Sequence, residues 1–178
     1  AGNTRGGAAC DFAAARRGVI VNAWIEHVHE LRSKGTELML VTVAGVRGSA
    51  PREAGANMIV TPQLCIGSIG GGQLEYQCAR IAADALRGPA APVRFRRRFP
   101  LGANLGQCCG GVVEVLFERI ANSESRWFDE LLRLYRARVP VIMATSADDR
   151  YLVSASGVCS ASVSAVPQEI VSVALSML

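Results

Sequence analysis

The chain has 178 residues, half of them hydrophobic, with 19 basic against 15 acidic residues and six cysteines. That length buries one substantial core and leaves little room for two complete domains. No apolar run approaches the roughly 20 residues a bilayer-spanning helix needs. The formal charge of +4 rests on eighteen arginines and one lysine, a skew that resembles coding bias more than a nucleic-acid surface, so charge alone names no partner.

Residues 1–18 mix small residues with Arg5, Asp11, Arg16 and Arg17 and lack a continuous apolar h-region. They read as a disordered leader and not as a secretory signal, which points to a cytoplasmic protein. From Val19 to Lys34 the apolar Ile20, Trp24, Val28 and Leu31 recur at helical spacing, and Gly35 stops the helix. Glu37 to Val46 reads as a largely buried strand that ends in the loop Arg47 to Gly55. Met58 to Thr61 and Leu64 to Ser68 flank Pro62-Gln63 as the arms of a hairpin, although Pro-Gln is a weak turn signal. A second helix, Gln73 to Leu86, carries Leu74, Cys78, Ile81 and Leu86 on its apolar side.

Strands are expected at Val93 to Phe99 and Val112 to Glu118, separated by a glycine-rich turn with no periodicity of its own. Asn122 or Ser123 can cap a third helix that runs to about Arg138 and turns Trp127, Leu131, Leu134 and Tyr135 inward. Val139 to Thr145 follows as a strand whose Pro140 demands an edge or a strand start. Beyond Tyr151 the serine- and valine-rich segment has no clear signature until Pro167 to Met177, a short helix with Pro167 in its first turn. The fold class expected is α/β or α+β: a mixed β-sheet packed by about three helices in a single compact domain.

The six cysteines, Cys10, Cys65, Cys78, Cys108, Cys109 and Cys159, are irregularly spaced. The adjacent pair is a poor disulfide candidate, because neighbouring Cα atoms lie about 3.8 Å apart and disulfides begin near 4.4 Å. Free thiols are therefore expected, with Cys65 and Cys78 as small buried hydrophobes. No Cys-x-x-Cys pair announces a structural zinc site. His27 and His29, two apart on a helix, point to different faces.

Three loops carry the chemistry. Gly67-Ser68-Ile69-Gly70-Gly71-Gly72 lies where a strand turns into a helix, so its backbone N–H groups can face an anion over the helix N-terminus. It is neither a Walker loop nor a Gly-x-Gly-x-x-Gly fingerprint. Glu75, one turn on, either caps the helix or contacts ligand. Gly48-Ser49-Ala50-Pro51-Arg52-Glu53-Ala54-Gly55 offers a guanidinium that can grip phosphate or carboxylate, unless Arg52 and Glu53 merely pair in solvent. Gly106-Gln107-Cys108-Cys109-Gly110-Gly111 sets two thiols among glycines, where a bulky ligand can approach them. In Arg94 to Phe99, strand alternation puts Arg94, Arg96 and Arg98 on one face and Phe95 and Phe99 on the other. No aromatic interleaves with the arginines as a base-stacking platform requires, so a solvated face is expected there, with no nucleic acid.

Taken together, Gly48-Ser49-Ala50-Pro51-Arg52-x-x-Gly55, Gly67-Ser68-Ile69-Gly70-Gly71-Gly72-x-x-Glu75 and Leu105-Gly106-Gln107-Cys108-Cys109-Gly110-Gly111 resemble, in order and chemistry, the XdhC/CoxI family of molybdenum-hydroxylase maturation factors. The resemblance implies a non-enzymatic accessory protein of purine catabolism. Such a protein binds the molybdenum cofactor (molybdopterin), protects it while a cysteine desulfurase supports its sulfuration, and delivers it to apo xanthine dehydrogenase or a related molybdenum hydroxylase. It implies a cofactor-binding set of Ser49, Arg52, Gly67, Ser68, Gly70, Gly71, Gly72, Glu75, Gln107, Cys108, Cys109 and Gly110, with Cys108 and Cys109 as candidate contacts to molybdenum. A homo-oligomer is compatible with it. Residues 19–155 are then the XdhC/CoxI-like domain and 156–178 a tail or short helix. The Rossmann-like domain that family members usually add is absent before Leu178, and Pro62-Gln63 stands where Asp-Gly is common. The rival reading, from the adjacent thiols alone, is a thiol-dependent oxidoreductase or sulfurtransferase using Cys108 and Cys109.

Overall fold

The computed structural model describes residues 23–88, 93–102, 109–121, 126–145, 150–161, 166–176 and 178. The leader expected over 1–18 and the capping residues Asn122 and Ser123 lie outside them. The fold is α+β. Its strands are dealt into two sheets, and the chain divides into two compact units, Ala1–Trp24 with Thr36–Arg119 and Ile25–Gly35 with Ile120–Leu178.

The first unit is a five-stranded sheet in the order β3-β2-β1-β5-β4. Its strands are β1 (Leu38–Arg47), β2 (Asn57–Val60), β3 (Cys65–Gly67), β4 (Arg94–Pro100) and β5 (Val112–Ile120). Residues 38–43 of the central strand β1 are all buried, which is why its sequence reads as an apolar run broken only by Thr42 and without alternation. β1 and β2, β2 and β3, and β4 and β5 pair antiparallel. β5 enters beside the exit of β1, where Gly111 N–H donates to the Ser49 carbonyl at 3.0 Å.

The hairpin β2–β3 forms as expected, pairing Val60 with Cys65 and Met58 with Gly67. Thr61 supplies what Pro62-Gln63 lacks. Its hydroxyl oxygen accepts the N–H groups of Gln63 and Leu64 at 3.2 and 3.0 Å, a side-chain turn in place of an Asp-Gly turn.

The helix α2 (Gly72–Arg87) packs on one face of this sheet. Leu74, Cys78, Ala82 and Leu86 recur every fourth residue and meet Met39, Val41, Met58, Val60, Val113, Val115 and Phe117, alternate positions of three strands, in one core. At the far end of α2, the Arg119 guanidinium donates to the carbonyls of Ala85 and Leu86 at 3.3 and 2.7 Å, satisfying acceptors the helix leaves open.

The second unit holds α1 (Ala23–Ser33, from Ile25 on), α3 (Arg126–Arg136), α4 (Gln168–Ser176) and the antiparallel sheet β6-β7-β8. Its strands are β6 (Val141–Thr145), β7 (Arg150–Ser154) and β8 (Gly157–Ala161). Pro140 stands immediately before the edge strand β6, as its missing N–H requires. The β7–β8 hairpin occupies the segment that lacked a signature. Tyr151, Val153 and Ala174 form a small core there with Ile142, Ala144, Ile170 and Val171 packed on it. Arg32 of α1 pairs with Asp129 at 2.7 Å and lies over the Phe128 ring, and Arg136 of α3 grips Glu26 at 3.0 and 3.2 Å. That grip holds the Glu26 carboxyl below its ordinary range.

The C-terminus of α3 ends with Arg138 at φ 56°. Val139 N–H bonds the Leu134 carbonyl and Arg138 N–H the Tyr135 carbonyl, both at 3.0 Å, a Schellman closure whose left-handed position glycine normally fills. Arg138→Gly is expected to stabilise the protein by about 0.5–1 kcal/mol. A rise in the urea midpoint at unchanged slope checks it.

Among the described residues, no helix is long and apolar enough to cross a membrane.

Candidate functional site

The loops of the first unit gather at one end of the sheet, because β1, β3 and β4 leave at the end where β2 and β5 enter. The loop after β1 (Gly48–Gly55) and the loop between β3 and α2 (Ser68–Gly71) touch at Gly70. A Cβ added there would lie 2.5 Å from Pro51 Cγ and 3.5 Å from Arg52 Cγ, and its φ of +129° excludes most side chains. The loop between β4 and β5 is closed at its base by Leu101 N–H on the Gly111 carbonyl at 2.9 Å and joined to the first loop through Gly111 and Ser49. Ile69, Ala50 and Cys109, one residue from each loop, pack on the same core.

The second loop is organised by Glu75. This carboxylate, only 4% exposed, accepts the Ser68 hydroxyl at 2.6 Å and the N–H groups of Ile69 and Gly71 at 3.0 Å each, all on Oε2. Ser68 Oγ in turn accepts Gly70 N–H at 3.2 Å. Glu75 thus reaches back over the helix start as the carboxylate of a capping box does, while Gly71, the N-cap residue, has no side chain to offer. The first-turn amides of Gly72, Gln73 and Leu74 have no acceptor within the helix, and a Cβ at Gly71 would meet open space.

Ser49 and Arg52 are exposed beside this loop. Among the described residues Arg52 forms no ion pair with Glu53, so its guanidinium is available to an anion. Cys109 is free and half-buried, with Gly110 exposed next to it. Gln107 and Cys108 lie outside the described residues. The structure therefore brings Ser49, Arg52, Gly67, Ser68, Gly70, Gly71, Gly72, Glu75, Cys109 and Gly110 to one end of one unit. Pro51 and Gly111, which hold the loops together, lie in the quoted motifs but were not among the expected binding residues; the doubled glycine Gly110-Gly111 was the signal for the second.

The cysteines divide differently from the expectation of free thiols throughout. Cys65 is disulfide-bonded, half-buried at the start of β3 and not a buried hydrophobe. Cys78, Cys109 and Cys159 are free. Burial, reinforced by the Glu75 charge, pushes the Cys78 thiol up to about 12 from 9.0, because a thiolate there would be desolvated beside a carboxylate. Its neutral form is the one the fold favours. The resulting stabilisation is complete below the unfolded pKa near 9 and is lost as pH rises through about 12. Cys78 is expected to resist iodoacetamide in the folded protein at pH 8, and Cys78→Ala is expected to flatten the stability decline above pH 9. Mass-mapped alkylation and pH-dependent urea melts check both.

On β4 the alternation holds. Phe95 stacks on Phe117 with centroids 4.8 Å apart. Arg94 and Arg96 pair with Glu118 and Glu114 at 3.4 and 3.3 Å, so part of the arginine row's charge is matched within its own sheet. No cluster of three or more His, Cys, Asp or Glu among the described residues stands ready to hold a metal ion.

Fold and site together define an α+β unit with a glycine-rich loop at a helix start and a free thiol at one sheet end. Residues 31–96, which carry the first two loops, match the model of the XdhC and CoxI family. Over 99 residues the chain is 31% identical to a protein of Bacillus subtilis (strain 168) described as a probable subunit of xanthine dehydrogenase; the overlap covers 53% of this chain and 30% of that protein. It also resembles a crystal structure described as a xanthine dehydrogenase from Bacillus halodurans, with a TM-score of 0.53 and 21% identity over 77% of this chain and 40% of that one. That likeness establishes the fold. The chain spans less than half the length of either protein.

Proposed function

We propose that this protein serves xanthine dehydrogenase or a related molybdenum hydroxylase as an accessory factor, binding the molybdenum cofactor as cargo at the gathered loops. In this reading it supports sulfuration of the cofactor with a cysteine desulfurase in the cytoplasm and delivers it to the apo enzyme. The observation that carries the reading is the meeting of three loops of unlike chemistry at one sheet end: open helix-start amides with exposed Arg52 for a phosphate, and a free thiol for a soft metal. The donor set suits such a cargo. Molybdopterin ends in a phosphate and carries a dithiolene-bound metal, and Arg52 with the amides of Gly72 and Gln73 would hold the first. Cys109, on the neighbouring loop, would face the second. The names of the two Bacillus proteins support a link to xanthine dehydrogenase.

Anoxic titration of the purified protein with molybdenum cofactor tests this. Saturable binding weakened by Arg52→Ala and by Cys109→Ser is the expected result, and no binding by a folded protein overturns it. A persulfide or catalytic turnover lost in Cys108→Ser and Cys109→Ser, without cofactor binding, would instead establish the thiol oxidoreductase or sulfurtransferase.

A further inference from the structure

Four polar groups of the second loop are spent on one another. The Ser68 hydroxyl and the Ile69 and Gly71 amides all point at Glu75 Oε2, at 2.6, 3.0 and 3.0 Å, and the Gly70 amide points at Ser68 Oγ. The Ile69 and Gly71 amides and the Ser68 hydroxyl, in a loop rich in positive φ, form the kind of concavity that binds an anion. Here the protein's own carboxylate fills it. A buried carboxylate with three donors is a charge-assisted arrangement, and it leaves Ser68 no proton for a ligand, since its one O–H is committed to Glu75.

We infer that Ser68 and Glu75 are positioning residues and not cargo contacts. Glu75 acts as an internal anion that folds the second loop into its working shape before any ligand arrives, and the cargo's phosphate is left to Arg52 and the adjacent amides of Gly72 and Gln73. The inference rests on the cofactor-site reading, which it deepens by dividing the loop into a self-satisfied half and an open half. It also accounts for Gly70 and Gly71, whose φ values of 129° and 73° would relax if the carboxylate did not hold the Gly71 amide directly and the Gly70 amide through Ser68 Oγ.

Amide hydrogen exchange of the ligand-free protein, followed by NMR, tests the role apart from binding. In wild type the Ile69 and Gly71 amides are expected to be protected. Glu75→Ala should speed their exchange about tenfold or more, while Glu75→Gln, which keeps an acceptor at the same reach, should hold the change to about threefold. Cofactor affinity should follow the same order, lost about tenfold in Glu75→Ala and largely rescued in Glu75→Gln. Should Glu75→Ala fail to fold, Ser68→Ala takes its place, with faster exchange at Gly70 expected. Unchanged exchange in the ligand-free variant together with lost affinity would make Glu75 a direct contact and overturn the inference. Faster exchange with undiminished affinity would remove the second loop from the binding site, overturning the cofactor-site reading while the internal anchoring stands.

Discussion

Replacing Gly111 with alanine is expected to destabilise the protein by about 3 kcal/mol and to abolish cofactor binding. A Cβ at this position would overlap the Ser49 carbonyl oxygen and lie 2.7 Å from the Arg47 carbonyl oxygen. Both obstacles are backbone, so no rotamer change relieves them. The chain must part where Gly111 N–H bonds Ser49, which separates the thiol loop from the arginine loop. Gly110→Ala is the matched control: its Cβ would meet nothing within 4 Å, so stability should change by less than about 0.5 kcal/mol. Urea unfolding of the two variants side by side checks the pair, and equal stabilities would mean that the two loops are not in contact.

Phe117→Ala is expected to cost about 4 kcal/mol. The ring is fully buried, belongs to the core under α2, and lies flat on Phe95 with an interplanar angle of 4°. Truncation removes the transfer energy of a whole ring, leaves a cavity between sheet and helix, and ends the aromatic contact as well. Phe117→Leu keeps most of the volume and should lose less than half as much. Because α2 sets the second loop, the alanine variant should also lose cofactor binding, and thermal melts followed by titration below the transition separate the two effects.

Much of the first unit was legible because its signals are local. The burial of β1 on both faces is written in its run of apolar and β-branched residues, α2 in the helical spacing of Leu74, Cys78, Ile81 and Leu86, although Ala82 and not Ile81 is the fully buried residue, and the two faces of β4 in Arg94, Arg96 and Arg98 set against Phe95 and Phe99. The β7–β8 hairpin was not legible. Its turn, Ala155-Ser156 ahead of Gly157, lacks Asn-Gly or Asp-Gly, and in Gly157–Ala161 Val158 alone has a marked strand preference. The division into two sheets also escaped, since strand order depends on contacts distant in the chain, such as Gly111 with Ser49.

For the site, residue types pointed to the right loops but not to the division of labour inside them. Glu75 could have capped the helix or met a ligand, and only the distances from Ser68, Ile69 and Gly71 show where its lone pairs go. Cys65 illustrates the limit from the other side. Spacing argued for free thiols throughout, yet a disulfide depends on which residues distant in the chain meet, and sequence does not encode that locally.

The central proposal is that the gathered loops are one binding face for the molybdenum cofactor. A structure of the protein crystallised anoxically with that cofactor tests it most directly. The account predicts the cofactor's phosphate against the Gly72 and Gln73 amides and the Arg52 guanidinium, its metal end turned toward Cys109, and the bonds from Ser68, Ile69 and Gly71 to Glu75 unbroken. Cofactor bound away from this end of the sheet, or a phosphate that displaces Glu75 from those donors, would contradict it.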